Sequence, residues 1–321
     1  MKILITGITG FIGSHLADYI LDNNLGNVYG IKRWRSPTQN IEHILNKVSL
    51  YDCDLTDLHS LIKVFEEVKA DRIYHLAAQS YVPASYNYPA KTLEDNGLGT
   101  LNLLNAIRMT NQNPFIHICS SSEVYGQVEK NETPITENQP FRPASPYAVS
   151  KVAEDMYGWM YYVAYKMNIV RTRQFTTTGP RRGEVFVVSN FAKQLAEMEK
   201  GKHRWSYGYK IEVGNLDSVR TFLDVRDVVK AYWLLPECPA GEVYNIGGDT
   251  TMTVGDMLNK LIEISGLQGV KVIVDNDRLR PADVTMQIPS SEKFKKATNW
   301  KPTIPFEKTL ADLLQYWRDR V

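Results

Sequence analysis

The sequence is poor in cysteine and has almost no excess of charge of either sign. Its 321 residues include three cysteines, Cys53, Cys119 and Cys238, whose odd number and wide spacing fit neither a disulfide framework nor a metal-binding motif. The formal net charge is +1, so the composition does not indicate nucleic acid or an anionic membrane as a partner. We therefore expect a protein of the reducing cytoplasm that binds no metal.

Long hydrophobic runs are also absent. No apolar stretch approaches the ~18 residues of a membrane span, and the chain begins with a strand pattern instead of a secretory signal. The composition, 43% hydrophobic and 23% charged, is typical of a globular protein with one large or two closely packed domains. We expect no association with a membrane.

A glycine-rich turn follows the first predicted strand, residues 2–6, and precedes a helical pattern over residues 14–21. Strand, glycine turn and helix is the context of a dinucleotide-binding fingerprint, in which the backbone and the helix N-terminus approach a pyrophosphate. A plain tight turn is the alternative. The pattern predicts that a dinucleotide cofactor is bound by Gly7, Thr9, Gly10, Phe11, Ile12 and Gly13.

A basic run follows the second predicted strand, residues 28–31. An NAD site usually has an acidic residue here, whereas this chain has three cations within Lys32-Arg33-Trp34-Arg35-Ser36. We therefore predict NADP, with Arg33, Arg35 and Ser36 near its 2′-phosphate. A solvated basic loop is the alternative.

Two further predicted strands, residues 48–55 and 73–80, end in residues that suit a cofactor. Asp54 and Leu55 close the first strand, where they can reach an adenine edge. The second ends in small residues that would let the cofactor lie near the backbone, and His75 within it is expected to be packed in the core. The predicted contacts of this second strand are Leu76, Ala77, Ala78 and Ser80.

Polar side chains that could take part in catalysis follow the next strand, which begins at Phe115. Ser121, Ser122 and Glu123 lie at its carboxyl end, where ligands of open parallel sheets bind. A helix is predicted after Ser145-Pro146, a suitable cap and first-turn proline.

Tyr147 and Lys151 lie one turn apart on that predicted helix, so their side chains share a face. A nearby ammonium favours a phenolate, and we expect the pKa of Tyr147 to fall below its usual value of about 10. An ordinary surface pair is the alternative.

Strands alternating with helices to about residue 175 predict an α/β fold with a doubly wound parallel (Rossmann) sheet. We expect residues 1–178 and about 219–248 to form this NADP-binding domain. A smaller α/β substrate-binding domain would comprise about 179–218 and 249–321, with helices over 188–199 and 306–320 and a loop over 201–209.

Taken together, these stretches resemble the extended short-chain dehydrogenase/reductase family along essentially the whole chain. The motifs are TGxxGFIG at residues 6–13, HLAAQS at 75–80, SSSEVYG at 120–126 and SPYxxSK at 145–151. Within that family the chain is most similar to the GDP-mannose 4,6-dehydratase group, with a related group of GDP-4-keto-6-deoxymannose reductases. The supporting motifs are GPRRG at 179–183, VGNLD at 213–217 and RPADV at 280–284.

The resemblance implies a nucleotide-diphosphate-sugar 4,6-dehydratase, most similar to enzymes of GDP-mannose, that forms a homodimer or homotetramer. Tyr147, assisted by Lys151, would take the C4 hydroxyl proton, Ser121 would bind the C4 oxygen, Glu123 would take the C5 proton, and Ser122 or Glu123 would assist the loss of water. Arg182 would join the cofactor contacts. The implied substrate contacts are Gln79, Ser80, Ser121, Glu123, Thr176, Val187, Asn190, Lys193, Arg220, Arg280 and Asp283.

Several alternatives stay open at this point. Arg220 and Arg280 suit a diphosphate, but an ordinary ion pair is the alternative for each. The chain also differs from many relatives at Thr176, where they carry Asn, and from the dehydratases at Thr177, where they carry His. The rival functions are an NADPH-dependent 4-keto-6-deoxy-sugar-nucleotide reductase, a dehydratase of CDP-, dTDP- or UDP-glucose, and a non-catalytic NADP-binding regulator.

Overall fold

The computed structural model describes residues 1–205, 208–279 and 282–321. The strands in chain order are β1 (Lys2–Thr6), β2 (Asn27–Lys32), β3 (Val48–Asp52), β4 (Arg72–His75), β5 (Phe115–Ser121), β6 (Ile169–Gln174), β7 (Thr177–Thr178), β8 (Arg204–Trp205), β9 (Gly208–Val213), β10 (Val219–Asp224), β11 (Val243–Ile246), β12 (Thr250–Thr253), β13 (Val270–Val274) and β14 (Met286–Gln287). The helices are α1 (Phe11–Asp22), α2 (Leu58–Val68), α3 (Val82–Asn87), α4 (Pro89–Leu93), α5 (Gly99–Met109), α6 (Pro146–Tyr165), α7 (Val187–Glu199), α8 (Val225–Leu234), α9 (Val254–Ser265), α10 (Glu292–Thr298) and α11 (Phe306–Arg318).

Seven strands form one parallel sheet in the order β3-β2-β1-β4-β5-β6-β11. The direction in which successive strands are added reverses between β1 and β4. In such sheets the crevice for a ligand opens beyond the carboxyl ends of the strands at this reversal. The predicted doubly wound fold is therefore confirmed.

Helices cover both faces of this sheet because its central strands are apolar on both sides. Ile3 and Ile5 of β1 pack into a cluster with α1 and α8. Leu4, between them, points to the opposite face and packs with α2 and α5. All three side chains are fully buried, which fixes the position of the turn that follows β1.

A third apolar cluster joins α7, α9 and α11 with Phe222 of β10. Two smaller sheets accompany it, one in the order β12-β10-β14 with β7 also paired to β10, and one in the order β13-β9-β8. The sequence assigned β10 to the cofactor domain, but the strands that pair with β10 lie outside the large sheet. By contrast, β11 is a strand of the large sheet, and α8 packs in the apolar cluster on one face of that sheet. The division into two domains stays a prediction.

Of the loop predicted over residues 201–209, residues 201–203 are irregular as expected, but the prediction is wrong for residues 204–205 and 208–209. Arg204 and Trp205 form an antiparallel pair with Tyr209 and Gly208, and β9 continues alongside β13. The strands predicted over 48–55 and 73–80 are shorter in the structure than predicted, because each segment leaves the sheet where its cleft residues begin. The predicted contact Arg280 lies outside the described residues.

None of the helices in the described ranges has the length and apolar composition required to cross a membrane. Within those same ranges, no group of three or more His, Cys, Asp or Glu side chains is arranged to hold a metal ion.

Candidate active site

The turn between β1 and α1 packs tightly against the end of β4. Gly7 has a φ of +71°, and a Cβ placed on it would lie 2.8 Å from Ala77 Cα. A Cβ on Gly13 would lie 2.3 Å from the Gly7 carbonyl oxygen. The Thr6 hydroxyl accepts hydrogen bonds from the backbone N–H groups of Leu76 (3.1 Å) and Ala77 (3.2 Å). The turn is therefore a narrow backbone cradle at the reversal of the sheet, which fits a dinucleotide pyrophosphate.

Two cations of the predicted 2′-phosphate loop have partners within the protein, and one of them, Lys32, also lines the cleft. Lys32 forms an ion pair with Asp52 of β3. Arg35 lies over the ring of the exposed Trp34, with 4.3 Å from its guanidinium carbon to the ring centroid, and is not among the residues that line the cleft. The prediction that Arg35 contacts the cofactor is therefore not supported by its position.

Arg33 and Ser36 of the same loop do line the cleft. Asp54 lies nearby and accepts hydrogen bonds from the Thr56 backbone (2.9 Å) and hydroxyl (2.8 Å). Burial raises the pKa of Asp54, but these bonds and the charges of Lys91 and Arg33 lower it below its usual value. A fixed carboxylate and an arginine thus share the end of the cleft beyond β2 and β3.

One cleft of about 1580 Å³ runs from this loop past the end of β5 to α7 and β10. Apart from Arg35 and the undescribed Arg280, every predicted contact borders it. The cofactor set that lines it is Gly7, Thr9, Gly10, Phe11, Ile12, Gly13, Arg33, Ser36, Asp54, Leu55, Leu76, Ala77, Ala78, Ser80, Tyr147, Lys151 and Arg182. The substrate and catalytic set is Gln79, Ser121, Ser122, Glu123, Thr176, Val187, Asn190, Lys193, Arg220 and Asp283.

Helix α6 presents Tyr147 and Lys151 to the middle of this cleft. The Ser145 side chain caps the helix by accepting the Ala148 N–H at 3.0 Å, and Pro146 begins its first turn. Tyr147 is 8% exposed, and the Lys151 ammonium lies 6.0 Å from the centroid of its ring. The predicted helix and the shared face of this pair agree with the structure.

The expected direction of the Tyr147 pKa shift is wrong. Burial raises the pKa of Tyr147 above its usual value, although the charge of Lys151 and a hydrogen bond to Ser121 both lower it. The spacing on the helix predicted the effect of Lys151 but not the larger effect of the surrounding protein.

The Lys151 ammonium is held by two acceptors. It donates to the Cys119 carbonyl at 2.8 Å and to Glu154 Oε2 at 2.8 Å. Burial lowers the pKa of Lys151, but Glu154 and Tyr147 together raise it above its usual value. The lysine is therefore a fixed cation at the base of the cleft.

The end of β5 places three polar side chains beside this pair. The Ser121 hydroxyl accepts the Glu123 N–H at 3.2 Å and so begins the short 3-10 turn Ser122–Tyr125. The buried Ser122 hydroxyl donates to Gln287 Oε1 at 3.0 Å, which ties β5 to β14. Ser121 and Glu123 thus line the cleft with Tyr147, whereas the Ser122 proton is already used by a protein group.

Arg220 and Asp283 line the far part of the cleft and lie close together. Arg220 donates to the backbone carbonyls of Val219 (3.0 Å) and Val284 and lies 3.9 Å from Asp283 Oδ1. Asp283 also accepts from the Asn215 amide at 2.6 Å. The ion pair that the sequence left open for Arg220 is therefore present, within the wall of the cleft.

The first turns of α7 complete this wall. Val187 begins the helix, and the Asn190 amide bridges the Glu184 carbonyl (3.1 Å) and Arg278 (2.9 Å). Lys193 forms an ion pair with Glu184. The predicted contacts on α7 therefore project from one face into a polar network.

Arg182 lies between two aromatic rings at the mouth of the cradle. Its guanidinium carbon is 3.4 Å from the Phe186 ring centroid and 5.0 Å from that of Phe11. Burial lowers the pKa of Arg182 to about 10, so the side chain stays cationic at neutral pH. A cation held against Phe11 of the glycine turn suits an anionic ligand.

Sequence reasoning missed two polar groups of this site. Gln287 lines the cleft and has a buried Nε2 with no partner among the described residues, but it lies 165 residues from Ser122, so no local pattern indicates it. Glu154 is three residues after Lys151 on α6 and could have been found from helical spacing.

Comparison with known proteins agrees with this architecture. Residues 4–313 match the family described as GDP-mannose 4,6 dehydratase. GDP-6-deoxy-D-mannose reductase of Pseudomonas aeruginosa is 33% identical over 100% of this chain and 98% of its own length. GDP-mannose 4,6-dehydratase of Vibrio cholerae is 32% identical over 98% of this chain and 92% of its own length. The solved structure of RMD from P. aeruginosa complexed with NADPH has a TM-score of 0.84 and 31% identity, covering 100% of this chain and 99% of that chain. The chain therefore belongs to the GDP-mannose 4,6-dehydratase family, within the extended short-chain dehydrogenase/reductases.

Proposed function

We propose that this protein is a nucleotide-sugar 4,6-dehydratase that acts on GDP-mannose. The observation that carries the proposal is that Ser121, Glu123, Tyr147 and Lys151 border one cleft together with the glycine turn. An epimerase or a reductase needs the tyrosine, the lysine and the serine, whereas elimination of water also needs a base for the C5 proton. Glu123 supplies that carboxylate. The names of the dehydratase relatives support a GDP-linked substrate.

Each side chain has a defined task in this reaction. Tyr147 takes the proton of the C4 hydroxyl, while Ser121 donates a hydrogen bond to the C4 oxygen. The resulting 4-ketone acidifies the C5–H bond, and Glu123 removes that proton. The C6 hydroxyl then leaves as water with a proton from Glu123 or Ser122. For Ser122 this requires its hydroxyl to exchange its bond to Gln287 for one to the substrate.

A nicotinamide cofactor fits the glycine cradle, and we propose NADP. Arg33 and Ser36 would hold the 2′-phosphate, supported by the NADPH complex of the P. aeruginosa relative. In its oxidised form, bound NADP supplies a hydride acceptor for C4, a positive charge that favours the Tyr147 phenolate, and later the hydride for C6. Lys151, fixed by Cys119 and Glu154, keeps a second cation beside the phenol.

Stoichiometry tests the dehydratase proposal. The protein is incubated with GDP-mannose and NADP+ in an amount far below that of the substrate, and products are followed by mass spectrometry. We expect many turnovers per NADP+ and a product lighter by one water. Glu123→Gln should bind NADPH as the wild type does but form no such product. Full turnover by Glu123→Gln would show that another group takes the C5 proton.

Net reduction of a 4-keto-6-deoxy sugar nucleotide is the second candidate function. It is favoured by the reductase relative, which aligns over the whole of this chain, and by the raised pKa of Tyr147. A protonated phenol is the acid that a 4-keto oxygen needs when hydride is delivered to C4. In this case NADPH would be consumed one for one with the keto substrate, and GDP-mannose would not lose water.

We also propose that the protein is a homo-oligomer assembled through α6. Val149, Met156, Trp159, Met160 and Val163 are between 38% and 49% exposed on this helix. Most of them recur at intervals of seven, four and three residues, which forms one stripe. A second copy of α6 related by a twofold axis would cover the same stripe on both chains.

Val163→Glu should therefore lower the molar mass in solution, measured by light scattering after size-exclusion chromatography. Val274→Glu, at another exposed valine, is the matched control because it lies on β13. Equal masses for the wild type and both variants would exclude α6 as the interface.

The three cysteines are free thiols, which supports the proposed cytoplasmic location.

A further inference from the structure

Two adjacent carboxylates on α6 have different surroundings. Both oxygens of Asp155 are bound, one to Arg171 at 2.5 Å and the other to Arg173 at 2.8 Å. Glu154 Oε2 is bound to Lys151, whereas Glu154 Oε1 is buried without a partner among the described residues. Asp155 therefore ties α6 to β6, but the contact of Glu154 serves the lysine of the active site.

The contact leaves Lys151 with one free direction for its third proton. A lysine ammonium has three donors, and the Cys119 carbonyl and Glu154 use two of them. Both side chains are almost fully buried, at 6% exposure for Lys151 and 1% for Glu154. Lys151 also lines the cleft together with Tyr147 and the cofactor cradle, so the third proton is the one available to a ligand bound there.

We propose that Glu154 is a positioning residue for the reaction: it orients the Lys151 ammonium beside Tyr147 and offsets part of its charge. This proposal rests on the proposed catalytic role of Tyr147 and Lys151. Removal of the carboxylate charge would leave the ammonium unopposed, and the phenolate would then form at lower pH.

The other groups around Lys151 and Tyr147 considered next do not supply a negative charge in place of Glu154. His75 of β4 and His117 of β5 are buried, and burial lowers the pKa of each to about 3, so both are neutral. Burial raises the pKa of the Cys119 thiol, which is therefore also uncharged near neutral pH. Asp155 is committed to its two arginines. Glu154 is the carboxylate in contact with Lys151. Burial raises the pKa of Glu154 to about 7 although Lys151 lowers it, so its charge is fully present above neutral pH, where the phenol titrates.

The pH dependence of the wild type and Glu154→Gln tests the charge. The amide oxygen of glutamine can still accept the Lys151 proton, so we expect kcat at each protein's own optimum to agree within about threefold. The limb of the pH profile that reports Tyr147 should move to lower pH by about one unit, whether the phenol acts as base or acid. Glu132→Gln, which removes a charge at an exposed ion pair with Arg142, is the control and should leave the profile unchanged.

Glu154→Asp tests the positioning. It keeps the charge but withdraws the carboxylate by one methylene, so kcat should fall about tenfold with KM changed less than threefold and the profile unmoved. A profile for a folded Glu154→Gln that superimposes on the wild type would overturn the proposed charge effect. Full kcat for Glu154→Asp would overturn the positioning, and this variant decides alone if Glu154→Gln does not fold. Absence of turnover by the wild type on every sugar nucleotide would instead refute the proposed function.

Discussion

The cradle between β1 and α1 is the feature whose perturbation can be worked out most directly, and Gly13→Ala is the substitution that tests it. The new Cβ would lie 2.3 Å from the Gly7 carbonyl oxygen, 3.0 Å from the Gly7 carbonyl carbon and 3.0 Å from Ile8 Cα. All three are backbone atoms, so no side-chain rotation relieves the contact. An ordinary contact begins at 3.4 Å, and the start of α1 must therefore withdraw from the turn by about 1 Å.

A displacement of this size matters because the backbone N–H groups at the start of α1 would bind the cofactor pyrophosphate. Misplacement by about 1 Å can cost about 100-fold in catalytic rate, and we expect a loss of the same order in NADPH affinity, or about 2.7 kcal/mol. The strain itself should lower the free energy of unfolding by about 1–3 kcal/mol. Quenching of tryptophan fluorescence by NADPH measures the first effect, and urea unfolding measures the second.

Gly255→Ala is the matched control for this experiment. Gly255 is also in the first turn of a helix, α9, but a Cβ there would meet its nearest atom, the Leu216 carbonyl oxygen, at 3.5 Å. We expect unchanged NADPH affinity and equal or slightly higher stability. If Gly13→Ala bound NADPH as tightly as Gly255→Ala does, the cradle would not be where the pyrophosphate binds.

Two other predictions concern the cofactor and the stability of the fold. Arg33→Ala should lower the affinity for NADPH about tenfold and leave the affinity for NADH unchanged in the same titration, because Arg33 is the arginine of its loop that lines the cleft. An equal loss of affinity for both nucleotides would argue against a 2′-phosphate site there. Burial raises the pKa of Asp227, but hydrogen bonds from the backbone of Thr303 and Ile304 (both 2.8 Å) and from other donors lower it below its usual value. Its stabilising effect is then present above the unfolded pKa of about 3.9 and lost as the pH falls through the lower folded pKa. Asp227→Asn should cost about 1–3 kcal/mol at pH 7 and flatten the acid limb of stability measured by urea unfolding, whereas an unchanged limb would assign that loss to other carboxylates.

The convergence of the site could be predicted from the sequence because it follows from the order of parallel strands. Gly7, Ala77 and Ser121 each lie at or within two residues of the carboxyl end of a strand, and parallel strands bring these ends to one edge. Helical spacing added Lys151 to Tyr147. These rules need only short stretches of sequence, and the structure places all of these residues around one cleft.

Two features that the sequence did not predict are the strand pairing of β9 and the position of Arg35. The loop predicted over residues 201–209 was inferred from its polar and aromatic composition, yet it includes the first residues of β9, which pairs with β13 from Val270 to Val274. Arg35 was placed on the cofactor because it belongs to a basic run, but Trp34 beside it provides an alternative surface for its guanidinium. The pairing of β9 is settled by tertiary packing, which local patterns do not contain, whereas the partner of Arg35 is the adjacent residue.

The pKa of Tyr147 shows how a correct local rule can give the wrong net direction. The rule concerned one cation at a known helical spacing, and Lys151 does favour the phenolate. Burial opposes it because β5 and the rest of the cleft wall remove water from the phenol, and Glu154 offsets part of the lysine charge. Burial thus outweighs the charge of Lys151, and the net shift of the Tyr147 pKa is upward. We expect an oxidised nicotinamide bound in the cleft to bring a further positive charge to the phenol and so to favour the phenolate.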